Sequence, residues 1–232
     1  MKALGRLILI FAASCLPLSA QALLNASTAQ PSAIDPTKKP VQTSALKSRL
    51  AIESGNKLRE KKDFDAALLA YQSAVRFQPE NANAWFYLGI TYVNLDQFEK
   101  ASYSFKRSVL VAPDDPAKWM GLCLSHYLLG DFDETIHTCR EALRLDPKQA
   151  DGWAWMGLGY AHQQEWDKSV PCLEAAAALG TRSSEAWYTL GIRYARQGQR
   201  TKVLQVYRRL QELDSTQAGK FFDVAVSPKQ KS

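Results

Sequence analysis

Four tryptophans, Trp85, Trp119, Trp153 and Trp187, recur with a constant period of 34. A second ladder keeps the same period in Gly55, Gly89, Gly157 and Gly191, with Cys123 on the rung between Gly89 and Gly157. Pro79, Pro113 and Pro147 form a third. Three residue types locked to one period mean internal repetition, and such a chain buries its apolar surface between neighbouring units rather than around one centre. Nothing else in the sequence restricts the fold as tightly.

Within one period the pattern is helical. Trp85, Leu88, Gly89 and Tyr92 fall at i, i+3, i+4 and i+7, one face of an α-helix. After Asn94-Leu95-Asp96 a second helix carries Ala101, Phe105, Ser108 and Val109 on one face. Pro113 stops it, because proline cannot continue the hydrogen-bond ladder. Each unit therefore reads as two antiparallel helices joined by a tight turn.

These residues resemble the tetratricopeptide repeat. Residues 82–115 carry Trp85, Leu88, Gly89, Tyr92, Phe98, Ala101, Phe105 and Pro113 at that family's positions. In 116–149 the matches are Trp119, Leu122, Phe132, Ala142 and Pro147, with Cys123 for glycine and His126 for tyrosine. Residues 150–183 supply Trp153, Met156, Gly157, Tyr160, Trp166, Leu173 and Ala176. Residues 184–217 supply Trp187, Leu190, Gly191, Tyr194 and Tyr207. The first unit, 48–81, keeps Gly55, Phe64, Ala67, Tyr71, Ala74 and Pro79. The resemblance implies an all-α, right-handed α-solenoid of five hairpins spanning 46–226. Residues 218–226, with Phe221 one full period after Trp187, are expected to form a short helix capping the last hairpin, and 227–232 a mobile tail.

The motif implies that the glycines mark helix crossings, facing Ala67, Ala101, Ser169 and Val203. Cys123 facing Thr135 is then the bulkiest crossing, and the third hairpin is expected to be splayed. Of Cys123, Cys139 and Cys172, two could form a disulfide in an oxidising compartment; the preferred reading is three small buried apolar side chains.

The N-terminus reads as an export signal over 1–22. Lys2 and Arg6 precede an apolar run from Leu7 to Leu18, and Ala20-Gln21-Ala22 has the small-x-small pattern of a cleavage site. A membrane span needs about 20 apolar residues, more than this run offers. Ala12-Ala13-Ser14-Cys15 loosely resembles the lipobox of bacterial lipoproteins, so lipid anchoring through Cys15 stays open beside a periplasmic or secreted location. Residues 23–45, with Pro31, Pro36 and Pro40, read as a disordered linker, and Ser44 as the first N-cap.

Chemistry is sparse. His126 stands at a core aromatic position. Glu134, His137 and Glu141 lie at i, i+3 and i+7, a spacing that an exposed polar helix face produces freely; no metal or cofactor is expected. Neither a phosphate-binding glycine loop nor an HExxH or GxSxG motif is present, so no catalytic residues are assigned. The formal charge of +6 is mild and scattered, which gives no reason to expect nucleic acid.

What the resemblance implies is binding. First helices of such repeats line a concave groove, and the groove positions here include Phe86, Ile90 and Val93, then Met120, Leu124 and Tyr127. Leu158 and His162 follow, then Tyr188, Ile192 and Arg196. The groove is apolar over several helices, which suits an extended or helical peptide of a partner protein. A clamp for an acidic C-terminus is not expected, since Ile52, Ile90, Ala117 and Gly121 stand where polar contacts would be needed. The alternative is charge: Arg193, Arg196, Arg200, Lys202, Arg208 and Arg209 in the fifth unit could dock an acidic partner or anionic surface. On either reading the chain is a non-catalytic adaptor of the bacterial envelope.

Overall fold

The computed structural model describes residues 41–226; the expected export signal, Cys15, most of the expected linker and the tail lie outside them. The described residues contain eleven α-helices and no strand. They fall into two compact units that meet in sequence at Pro113 and Asp114.

Unit one holds two hairpins, α1 (Val41–Glu60) with α2 (Phe64–Phe77), and α3 (Ala82–Asn94) with α4 (Phe98–Val111). Helix α1 starts at Val41, so 41–45 are helical rather than linker, and Ser44 is an interior residue and not an N-cap. No proline or glycine between 41 and 44 halts the helix before that point. Unit two holds three hairpins: α5 (Pro116–Leu129) with α6 (Phe132–Leu145), α7 (Ala150–His162) with α8 (Trp166–Ala178), and α9 (Ser184–Arg196) with α10 (Arg200–Leu213). Helix α11 (Ser215–Phe221) and one π turn (Phe222–Val226) close its C-terminal end.

Helix starts follow local chemistry. Side chains of Asp63, Asn81, Asp115 and Ser183 accept hydrogen bonds from orphan backbone N–H groups of α2, α3, α5 and α9, at 2.9–3.2 Å. The turn inside each hairpin places one residue at positive φ on the repeat period: Lys62, Asp96, Gly130, Gln164 and Gly198. Only two are glycine. The left-handed conformation costs an L residue about 1–2 kcal/mol, so packing on both sides of the turn imposes the geometry at the other three.

The glycine ladder does mark the crossings, and at Gly157 the expected Ser169 donates to the glycine carbonyl at 2.7 Å, but the side chains nearest the glycines are others. A methyl group on Gly55 would lie 2.6 Å from the Tyr71 ring, and on Gly89 2.7 Å from Phe105. At Gly157 it would meet Leu173 at 2.8 Å. Each partner stands one helical turn beyond the expected one, because the large side chain there reaches back across the crossing. In the third hairpin both members of that pair are cysteine. Cys123 and Cys139 form a disulfide with their Cα atoms 5.1 Å apart, where a splayed crossing against Thr135 was expected. Among the described residues Cys172 alone is a free, buried thiol, pushed up to about 11 by burial.

In the last hairpin Gly191 is met by Val206 of α10, at 2.7 Å from an added methyl carbon, and by Phe221 from α11, at 2.5 Å. Phe221 is fully buried and packs edge-on against Tyr188. The cap thus inserts the ring that a following unit would otherwise supply.

Consecutive hairpins are tied by hydrogen bonds on the same period. Trp85, Trp153 and Trp187 donate their indole N–H to the carbonyls of Pro79, Pro147 and Thr181 at 2.7–3.1 Å. Threonine can replace proline there because only the backbone oxygen is used. Tyr92 and Tyr160 hydroxyls accept from Gln72 and Arg140 of the preceding hairpin, and Tyr194 donates to Glu174. That bond, then Lys202, holds the Glu174 carboxyl below its usual range.

Candidate functional site

First helices meet one another within each unit, α1 with α3, and α5 with α7 and α7 with α9. This first-helix face is where the sequence placed the binding residues.

In unit one it stays partly open. Phe86 and Ile90 are half-exposed, and so are Ile52, Asn56 and Asn94. Phe86 rests on Phe105 with ring centroids 5.6 Å apart and meets Tyr87 edge-on at 5.9 Å. Tyr71 donates to Asn56 Oδ1 at 2.7 Å, orienting that carboxamide so that its amino group remains a donor. Burial pushes the Tyr71 phenol up to about 12, so it keeps its proton at any physiological pH. Val93 differs from expectation: it is buried, with 8% exposure, and offers no contact surface.

In unit two the face is closed in part. Tyr127 and Leu158 are buried, so they too are withdrawn from the expected contact set. Side chains of neighbouring helices are the cause. The Tyr127 hydroxyl lies in hydrogen-bonding reach of Glu185 on α9, and burial, followed by that carboxylate, drives its phenol far above the usual range. Phe132 at the start of α6 stacks on His162 at 4.1 Å, covering one side of an otherwise exposed ring. Met120 is half-buried, its sulfur turned toward Gly152 on α7. Leu124, Tyr188 and Ile192 remain half-exposed, and Arg196 is exposed. Phe132 and Glu185 were missed by sequence reasoning, since neither sits at a motif position for the groove.

Asp151, in the first turn of α7, is half-buried. Thr181 donates to it at 3.3 Å, yet burial dominates and pushes its carboxyl up to about 6.

The basic fifth hairpin is partly consumed internally. Arg193 lies 5.4 Å from the Trp166 ring centroid, Lys202 pairs with Glu174 at 3.0 Å, and Arg209 with Glu212 at 2.6 Å. Half of the six expected surface cations therefore already have protein partners.

The tryptophan ladder lies elsewhere. Trp85 and Trp153 are half-buried and line two clefts on the side of the second helices, together with Tyr92 and Tyr160 respectively.

Residues 13–221 match the family model of the cilia and flagella-associated protein 70 C-terminal domain, a tetratricopeptide-repeat module. Similar solved structures include a MamA protein, 23% identical, covering 75% of this chain and 94% of that one with a TM-score of 0.62. YrrB, a TPR protein with an unusual peptide-binding site, is 19% identical over 73% of this chain and 89% of its own, TM-score 0.59. TTC0263, a thermophilic TPR protein of Thermus thermophilus, is 22% identical over 77% and 99%, TM-score 0.59. At these identities the likeness speaks for the fold alone. No curated protein sequence matches the chain.

Proposed function

Because the chain belongs to the tetratricopeptide-repeat family of the cilia and flagella-associated protein 70 C-terminal domain, we propose that it is a non-catalytic protein-interaction scaffold that binds partner peptide through the first-helix face of each unit. The observation that carries this reading is the set of large apolar side chains left half-exposed there: Phe86 and Ile90 in unit one, Leu124, Tyr188 and Ile192 in unit two. Grouped on first helices, they offer apolar contact surface to a peptide. Asn56, oriented by Tyr71, supplies a donor for a peptide carbonyl. The peptide-binding site of YrrB, a protein of the same fold, supports the reading.

We further propose that the scaffold works in the bacterial cell envelope, periplasmic or secreted, or lipid-anchored through Cys15. The support is the signal-like pattern from Lys2 to Ala22, and a Cys123–Cys139 bond that an oxidising compartment sustains.

The test is affinity capture from envelope extracts with Phe86→Asp combined with Leu124→Asp. Capture of the partner is expected to be lost while helical circular dichroism is unchanged. Retained capture contradicts the assignment.

A further inference from the structure

The two clefts on the second-helix side occupy the same place in the repeat but differ in charge. In unit one the cleft measures about 270 Å³ and is lined by Trp85, Leu88 and Tyr92, with Glu99 and Lys100 at its edge. In unit two it measures about 420 Å³. Its floor is Leu143, Met156 and Cys172, all buried, with half-buried Trp153 as a wall. Its rim carries three exposed cations, Arg140, Arg144 and Lys168.

Two of these cations are answered. Arg144 pairs with Glu141 at 3.0 Å, and Lys168 pairs closely with Glu165. Arg140 has no ion pair among the described residues; its guanidinium donates to the Tyr160 hydroxyl at 3.1 Å. That bond does not require arginine. One period later the same position is Glu174, which bonds Tyr194, and two periods earlier it is Gln72, which bonds Tyr92. One period earlier it is Lys106, so charge there varies from unit to unit. Packing is thus satisfied by a neutral amide, and of the two clefts only this one has an arginine at that position.

We propose that the outer cleft of the third and fourth hairpins is a second docking site, taking a short acidic segment of a partner protein in which a carboxylate stands beside an apolar side chain. The apolar group fills the Trp153–Met156 floor, and the carboxylate accepts the charge-assisted bonds that Arg140 has to offer. The chain's own ends fit poorly. Residues 227–232 carry Lys229 and Lys231 and no acid, and in 1–40 the single acid, Asp35, is followed by Lys38 and Lys39.

Beyond Met1 the methionines are Met120 and Met156, one toward the first-helix side and one in this cleft, which makes methyl NMR on the full chain a direct test. The probes are acetyl-Glu-Leu-Glu-Leu-amide, its Gln-for-Glu counterpart, and phosphatidylglycerol vesicles. The Glu peptide is expected to move the Met156 methyl saturably and leave Met120 in place, and the Gln peptide to bind about tenfold more weakly. Arg140→Gln, which installs the residue found at position 72, is expected to lose about the same factor with the melting temperature unchanged. Equal binding of the two peptides, or unchanged affinity in Arg140→Gln, overturns the proposal. So does movement of Met156 by vesicles alone, which would make the surface lipid-binding. A several-fold gain in peptide affinity on Asp35→Asn would show that the chain fills its own cleft, and would overturn the assignment to a partner.

Discussion

The two units solve one packing problem in two ways. In unit one, glycines at 55 and 89 admit the rings of Tyr71 and Phe105, and Phe86 and Ile90 are left half-exposed on the first-helix face. In unit two, the first crossing is a disulfide, and the last is completed by a ring from outside the hairpin. Its first-helix face is covered in part, by Tyr127 reaching toward Glu185 and by the Phe132–His162 stack. A shared repeat register therefore specifies where helices cross. It does not specify whether the face they build stays accessible; the long side chains of neighbouring hairpins decide that.

The largest expected effect breaks unit two at its end. Phe221→Ala removes the ring that fills Gly191 and should cost about 3–5 kcal/mol. Hydrogen exchange should show the loss concentrated in α9 and α10. Uniform loss across both units would mean that the cap serves the whole chain.

Converting one solution into the other comes next. Cys139→Ser opens a loop of sequence separation 16 and should cost about 3 kcal/mol by thermal or denaturant unfolding. Combining Cys123→Gly with Cys139→Phe recreates the unit-one pair and should recover most of it. Failure to recover would show that the third crossing differs in more than its two side chains.

The reciprocal change in unit one is Gly89→Ala. The new methyl group would stand 2.7 Å from the Phe105 ring, and about 1–3 kcal/mol of stability should be lost as the ring shifts. An unchanged melting temperature would show that the crossing has slack.

Smallest is a gain. Asp151 binds its proton more tightly in the folded chain than in the unfolded one, since burial lifts its carboxyl to about 6. Its contribution is fully present below about pH 4, the ordinary carboxylate range, and is lost as pH rises through about 6. Asp151→Asn should remove that slope and raise stability at neutral pH by about 1–2 kcal/mol. A pH profile identical to that of the unaltered chain would contradict the burial argument.

The period, the helix pairing and the register of all five hairpins were legible, because each repeated residue has one physical job. At Gly55 and Gly89 the nearest partner lies one turn beyond the residue expected, whereas at Gly157 the expected Ser169 does bond the glycine carbonyl. Ala67 and Ala101 are small and fully buried, which made them look like the contact, but the ring at the next turn makes it. A signal for the disulfide was present and went unused: Cys123 and Cys139, at sequence separation 16, share the offset of Gly55–Tyr71 and Gly89–Phe105. Burial of Val93, Tyr127 and Leu158 was not legible, since it depends on side chains of other helices such as Glu185. The left-handed turns at Lys62, Asp96 and Gln164 were equally hidden, because tertiary packing, not residue type, sets their backbone.

Site-specific photocrosslinking tests the central claim most directly. Benzoylphenylalanine placed at Phe86 or Ile192, on the first-helix face, is expected to trap the partner. The same group at Leu69 or Tyr103, 63% and 61% exposed on second helices of unit one, is expected to trap none. Crosslinks confined to Leu69 and Tyr103 would contradict the assignment of the first-helix face as the peptide site.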